Sequence, residues 1–161
     1  MSHAVALHST YVPRNAAVSD VDGIYRLLEE HIESGVLLPR SKANITDELM
    51  KFTVIEHNSQ IAACGSLEIF NDNLCEVRSL AVDPHLKKLG FGRQIVESLI
   101  DSATELGLKR IMALTYVPDF FHKLGFITVP KSIFPEKVWG VCIRCHKFDD
   151  CDEIAVLKIL D

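Results

Sequence analysis

Leu80-Ala81-Val82-Asp83-Pro84-His85-Leu86-Lys87-Lys88-Leu89-Gly90-Phe91-Gly92-Arg93 decides the reading of this chain. An apolar strand runs into a short basic turn carrying two glycines, and the turn opens directly onto an amphipathic helix. The start of a helix leaves backbone N–H groups without intrahelical partners, and the macrodipole adds positive character there, so anions are attracted. Gly90 and Gly92 let the backbone approach a diphosphate, while Lys87, Lys88 and Arg93 bring charge. By glycine spacing alone the same residues also read as a tight turn with solvated lysines. The strand before and the helix after favour the anion-binding reading. A dinucleotide turn would need a third glycine and a βαβ unit with a ribose-binding acid. A P-loop would need Gly-Lys followed by Ser or Thr, which is absent.

Downstream of the turn, Ile95, Val96, Leu99, Ile100, Ala103 and Leu106 recur at helical spacing from Gly92 onward, and Gly107 suits the C-terminal cap. A strand at Arg110–Thr115 follows, which makes a strand–helix–strand unit of the parallel, right-handed kind. Pro118 suits the first turn of a short helix, Asp119–Leu124, ended by Gly125. A last strand, Glu153–Leu160, is expected to close the sheet. Upstream, Phe52–Glu56, Ile61–Phe70 and Leu74–Val82 are strands separated by turns at His57–Gln60 and Asn71–Asn73, an antiparallel meander. Before these come an opening strand, Thr10–Asn15, and a helix, Asp20–Glu33, with Ser19 and Asp22 as its capping box. Ser34-Gly35 ends that helix, Pro39 keeps the next stretch irregular, and Ile45–Met50 reads as a short helix. The fold class is α+β, a mixed, largely antiparallel sheet with helices on both faces.

The length of 161 residues suits a single domain, with residues 1–9 as a loose leader. A net charge of −5 argues against nucleic acid as a partner, because the phosphate-neutralising contribution is missing. No apolar run reaches the roughly 18 residues of a membrane span. The start lacks a signal peptide's basic residues and cleavage site, so a cytoplasmic protein is expected. Five cysteines without a secretory signal then point to reduced thiols, metal ligands or buried small apolar groups rather than disulfides.

With Leu114-Thr115-Tyr116-Val117-Pro118-Asp119-Phe120-Phe121-His122-Lys123-Leu124-Gly125-Phe126 added, the chain resembles the GNAT acetyltransferase superfamily. Lys87-x-x-Gly90-x-Gly92 matches that family's Arg/Gln-x-x-Gly-x-Gly/Ala pyrophosphate loop, with lysine at the first position. Phe120-Phe121-x-Lys123-x-Gly125-Phe126 matches its Phe-Tyr-x-Lys-x-Gly-Phe helix. The resemblance implies acetyl-CoA as cosubstrate. Leu80, Ala81 and Val82 would offer backbone groups to the pantetheine arm. Lys87, Lys88, Leu89, Gly90, Phe91, Gly92 and Arg93 would hold the pyrophosphate, and Phe121 would flank the thiol end. Many members carry a tyrosine at the Phe121 position that protonates the leaving thiolate, which phenylalanine cannot do. Gly35-Val36-Leu37-Leu38-Pro39-Arg40-Ser41, Cys75-Glu76-Val77-Arg78-Ser79-Leu80-Ala81-Val82 and Ala113-Leu114-Thr115 look like the acetyltransferase domain of N-acetylglutamate synthases, in their short stand-alone form. That narrower likeness implies glutamate as the acceptor and a place in arginine biosynthesis. The fold family is also compatible with a homodimer.

Transfer from a thioester to an amine needs a base, polarisation of the carbonyl, an acid for the thiolate and two substrates held close. Glu76, on the central strand shortly before the pantetheine-binding stretch, is the candidate base. Read without the family it is an ordinary strand glutamate on a solvated face. The planar fork of arginine suits a carboxylate, so Arg40 and Arg144 are candidates for the acceptor's two carboxylates. Arg78 is a third, with Ser79 as its polar neighbour. For the acid, the resembled synthases suggest Thr115, while Tyr116 carries the more acidic kind of hydroxyl, with an ordinary pKa of about 10. Both stand.

Cys142-x-x-Cys145, His146 and Cys151 could hold structural zinc, but without a second Cys-x-x-Cys a compact loop with buried thiols is the plainer reading. Two alternatives accompany a small acidic amino acid as the acceptor. One is a GNAT enzyme acting on glutamine, aspartate, a polyamine or a protein N-terminus. The other is a non-catalytic acyl-CoA-binding regulatory module, which Phe121 favours and Glu76 opposes.

Overall fold

The computed structural model describes residues 11–33, 40–134 and 153–161. Its strands are β1 (Arg14–Asn15), β2 (Phe52–His57), β3 (Gln60–Ile69), β4 (Leu74–Val82), β5 (Arg110–Thr115), β6 (Ile127–Val129) and β7 (Ile154–Ile159). The α-helices are α1 (Val21–Glu33), α2 (Lys42–Asp47), α3 (Phe91–Glu105) and α4 (Pro118–His122). The strands form one seven-stranded sheet in the order β1-β2-β3-β4-β5-β7-β6. β4 and β5 pair in parallel, with Glu76 opposite Met112, as the strand–helix–strand pattern predicts, whereas β1/β2, β2/β3, β5/β7 and β6/β7 are antiparallel. Among the described residues no helix is long and apolar enough to cross a membrane. The chain divides into two compact units, Met1–Leu67 with Arg78–Leu99, and Glu68–Val77 with Ile100–Asp161.

In the first unit, Val21, Ile24, Leu27 and Leu28 of α1 join Ile45 of α2, Phe52, Val54, Ile61 and Cys64 in one core. The register between β2 and β3 slips at Ile55/Glu56, a bulge that lets Ile61 and Cys64 turn to the same face despite their odd spacing. Gly65 turns to the other face, where a Cβ would come within 2.6 Å of Ile95 on α3. Helices therefore cover both faces here. The β2–β3 turn places Asn58 and Ser59 at φ 51 and 63, the paired left-handed geometry that matches the twist of a two-residue hairpin.

Several boundaries differ from the sequence reading. The opening strand shrinks to Arg14–Asn15, after Pro13, which has no N–H to give. The expected capping box at Ser19 and Asp22 is replaced by Asp20, the last residue of a 3₁₀ turn, Val18–Asp20, whose carboxylate reaches back to accept from the Ala17 N–H at 2.7 Å. The short helix begins at Lys42 because Ser41 caps it, its Oγ accepting from the Asn44 N–H at 3.0 Å, and Leu49–Lys51 forms a separate 3₁₀ turn. Ser34, Gly35 and Pro39 lie outside the described residues.

The second unit is built on Phe70, Leu74, Met112, Phe134, Ala155 and Leu157. β7 does not close the sheet at its edge: it inserts between β5 and the three-residue β6, which was too short to show a period. Gly107 takes φ +84, the expected cap, but Leu106 falls beyond the helix and is 64% exposed instead of completing the stripe. The short helix is Pro118–His122, beginning at the proline.

Candidate active site

In the first unit, Asp83 stops β4 and shapes the turn. Its Oδ1 accepts from the His85 N–H at 2.9 Å and its carbonyl from the Leu86 N–H at 2.9 Å, starting a 3₁₀ turn over Pro84–Leu89. Gly90 then takes φ +79, with no atom within 4 Å of where a Cβ would stand. The glycine is demanded by backbone conformation, and the space beside it is open. α3 starts at Phe91, and the Gln94 N–H bonds back to the Gly90 carbonyl at 3.1 Å. The amides of Phe91, Gly92 and Arg93 precede that first rung, so they are the donors a diphosphate would meet. Lys87 and Lys88 are exposed, and Arg93 ion-pairs with Glu97 at 3.2 Å. The Phe91 ring is buried beside Tyr11 and His57, at centroid distances of 6.0 and 5.8 Å, so this residue offers only its backbone. Of the strand residues before the turn, Ala81 is buried, and Leu80 and Val82 are half-buried.

The same unit holds a kink that the sequence did not announce. Ser79, inside β4, takes φ +52. Around it, side chains bond to the strand. Ser66 Oγ donates to the Arg78 carbonyl at 3.2 Å, and the Cys64 thiol donates to the Ser79 carbonyl at 3.4 Å. Burial pushes the Cys64 thiol up to about 12, which keeps it protonated and able to donate. Arg40 Nη1 donates to Ser79 Oγ at 2.8 Å, while its Nε donates to Asn44 Oδ1 at 2.8 Å. The guanidinium lies 5.0 Å above the Phe52 ring, with Nη2 3.7 Å from Glu48. A hydrogen bond from Lys51 holds the Glu48 carboxyl below its usual range against the opposing effect of burial, helped by the charges of Lys51, Arg40 and Arg78. Arg40 and Ser79 thus come together, with Arg78 next in the strand. Asn44, Glu48, Cys64 and Ser66 were missed. For Cys64 and Ser66 the one available signal was a pair of short polar side chains within the apolar middle of β3.

In the second unit, Glu76 is only 6% exposed. That removes the solvated-face alternative, since a carboxylate is taken out of water only where protein groups or a ligand compensate. Burial and the neighbouring Glu76 charge push the Cys75 thiol up to about 12. Thr115 is buried, its Oγ1 accepting from the Val117 N–H at 2.9 Å, and a hydroxyl used this way still has its own proton to donate. Tyr116 is half-buried. Phe121 is buried edge-on to Phe120 and Phe126, with centroids 5.1 and 5.2 Å away. Arg144, Cys142, Cys145, His146 and Cys151 lie outside the described residues. Among the described residues no group of three or more His, Cys, Asp or Glu side chains could hold a metal ion.

Comparison with known proteins agrees with this geometry. Residues 21–126 match the Acetyltransferase (GNAT) family. An uncharacterized N-acetyltransferase of Chlorobaculum tepidum is 35% identical over 147 residues, covering 91% of this chain and 95% of that protein. An amino-acid acetyltransferase of Mycobacterium tuberculosis is 30% identical over 153 residues, covering 93% and 84%. Among solved structures, N-acetylglutamate synthase from Neisseria gonorrhoeae complexed with coenzyme A and N-acetyl-glutamate superposes with a TM-score of 0.84 at 25% identity. It covers 92% of this chain, which spans only 35% of the synthase chain. A Mycobacterium tuberculosis protein in complex with CoA superposes with a TM-score of 0.80 at 27% identity, covering 93% and 99%. The glycine turn that opens α3, the parallel β4–β5 pair and a family match across most of the chain lead to one conclusion: this protein belongs to the GNAT acetyltransferase family.

Proposed function

We propose that the chain transfers the acetyl group of acetyl-CoA to the α-amino group of glutamate, by direct attack with both substrates bound. The observation that carries a catalytic rather than a merely binding role is the burial of Glu76 within β4. A carboxylate withheld from water can take a proton from the acceptor's ammonium, directly or through one water, and stabilise the charge that remains. The acceptor reading is supported by the M. tuberculosis relative's amino-acid acetylation and by the N-acetyl-glutamate bound to the Neisseria synthase.

The amides of Phe91, Gly92 and Arg93 hold the diphosphate, Lys87 and Lys88 add long-range attraction, and Leu80–Val82 guide the pantetheine arm. The amine attacks the thioester carbonyl, the new C–N bond forms as the C–S bond breaks, and Glu76 holds the proton released from nitrogen. The departing thiolate takes a proton from Thr115 or Tyr116, since Phe121 has none to give. Arg40, Arg78 and Arg144 supply the positive charge for the acceptor's carboxylates.

The test is thiol release from acetyl-CoA screened across amino acids and amines. Glutamate is expected to give the highest kcat/KM. A higher value for glutamine, aspartate, a polyamine or a peptide N-terminus would reassign the acceptor. Binding of acetyl-CoA without any thiol release would make the chain a regulatory module.

A further inference from the structure

We propose that Arg40 is a positioning residue for acetyl-CoA: through Ser79 it fixes the kink in β4 that aims Leu80–Val82 at the pantetheine arm. The proposal rests on the reading that Leu80–Val82 and Lys87–Arg93 carry that cosubstrate. Its starting point is conformational. A serine at φ +52 brings its Cβ against its own backbone, and such a residue persists only where its surroundings over-determine it. Three side-chain hydrogen bonds do so here. Those from Ser66 and Cys64 hold the carbonyls of Arg78 and Ser79 and come from β3 itself. The third comes from outside the sheet, from Arg40 Nη1 to Ser79 Oγ.

Arg40 is itself braced. Asn44 accepts from Nε, the Phe52 ring supports the guanidinium face, and Glu48 supplies opposite charge while held by Lys51. A side chain fixed at this many points acts as an anchor. A clamp working on the acceptor's carboxylate alone would have no need of the Ser79 hydroxyl. The anchored residue stands immediately before Leu80, so the direction in which the Leu80–Val82 backbone leaves the kink depends on Arg40.

Calorimetric titration of acetyl-CoA with no acceptor present tests this, because an arginine serving the acceptor alone would leave that affinity untouched. Arg40→Ala is expected to weaken acetyl-CoA binding about tenfold, the scale of one disfavoured backbone conformation. Ser79→Ala, which keeps the Cβ and loses the hydroxyl, should do the same and carries the test if Arg40→Ala fails to fold. Glycine adopts the left-handed conformation without strain, so Ser79→Gly should cost no more than about twofold. The double variant, with Arg40→Ala added to Ser79→Gly, should bind acetyl-CoA more tightly than Arg40→Ala alone. A general loss of stability would not give such a rescue. Wild-type affinity in both Arg40→Ala and Ser79→Ala would overturn the proposal, as would an equal Arg40→Ala loss in the serine and glycine backgrounds. Failure of the wild-type protein to bind acetyl-CoA would instead defeat the functional reading on which the proposal rests.

Discussion

Gly90 and Ser79 both carry the backbone through the left-handed region, at φ +79 and +52, on either side of the residues that connect β4 to α3. They do it by opposite means. Gly90 has no Cβ to clash and nothing within 4 Å of where one would stand, so its turn is local and needs no help. Ser79 has a Cβ, and its conformation is held by three side chains, Arg40, Cys64 and Ser66, with the Cys64 and Ser66 bonds reaching its own and the preceding carbonyl. One turn is written into a single residue; the other is assembled by tertiary structure. The first kind suits the proposed diphosphate turn, where the backbone itself would meet the ligand, and the second suits a residue inside a strand, where neighbouring side chains are at hand.

Substitution away from both turns sets the scale. Glu76→Gln removes the proposed base while leaving both turns intact, so kcat should fall by about 10²- to 10⁴-fold. Acetyl-CoA affinity should stay within about twofold of wild type, roughly 0.4 kcal/mol. Steady-state kinetics beside calorimetry separates the two, and a parallel loss of affinity would show that Glu76 holds structure rather than protons.

The comparison itself breaks most directly at the two left-handed residues. Gly90→Ala introduces a Cβ at φ +79 and should cost about 1–2 kcal/mol, seen as a fall in Tm of about 2–8 °C for a chain of this size. Ser79→Gly relieves the same kind of strain while losing one hydrogen bond, so its Tm should change far less. Equal Tm losses in the two variants would mean that the two turns do not differ in kind.

Smaller effects sharpen the assembled turn. Glu48→Gln removes the carboxylate behind Arg40, and because the group is partly solvated the loss should stay below about 1 kcal/mol. The folded-state pKa of Glu48 lies below its unfolded value, so its contribution is complete above the unfolded value and disappears as pH falls through the folded one. The stability gap between wild type and Glu48→Gln, from denaturant titrations, should be constant from neutrality to about pH 5 and close below about pH 4. A gap that widens on acidification would contradict this. For Cys64 the sign is reversed. The folded thiol keeps its proton up to about 12, whereas an unfolded thiol loses it nearer 8.5, so stability should decline as pH rises through that interval. Below it, Cys64 should resist alkylation until the protein unfolds, as mass mapping of labelled peptides would report.

Much of this fold is legible residue by residue. Gly90 and Gly92 mark the start of α3 to within one position, and the turn from Asp83 to Gly90 separates β4 from α3. The parallel β4–β5 pair follows from the helix between them. Local chemistry fails where long-range placement decides. β6 has three residues, too few to show alternation, and nothing near Ile154–Ile159 says that β7 will sit between β5 and β6. At the candidate site the turn around Gly90 is readable because its cause lies in the residues themselves. The burial of Glu76 is not, since its neighbours Cys75 and Val77 fit a strand covered on one face or on both. The Ser79 kink is least readable of all, because it depends on Arg40, Cys64 and Ser66 arriving from other parts of the chain.

The claim beneath the rest is that the amides ahead of the first rung of α3 bind a diphosphate. An ¹⁵N–¹H correlation titration measures it at those amides. On addition of coenzyme A, the resonances of Phe91, Gly92 and Arg93 should move furthest, while acetyl-pantetheine, which lacks the diphosphate, should leave them nearly in place. Saturable binding of coenzyme A with those three resonances unmoved would contradict the account, as would no binding.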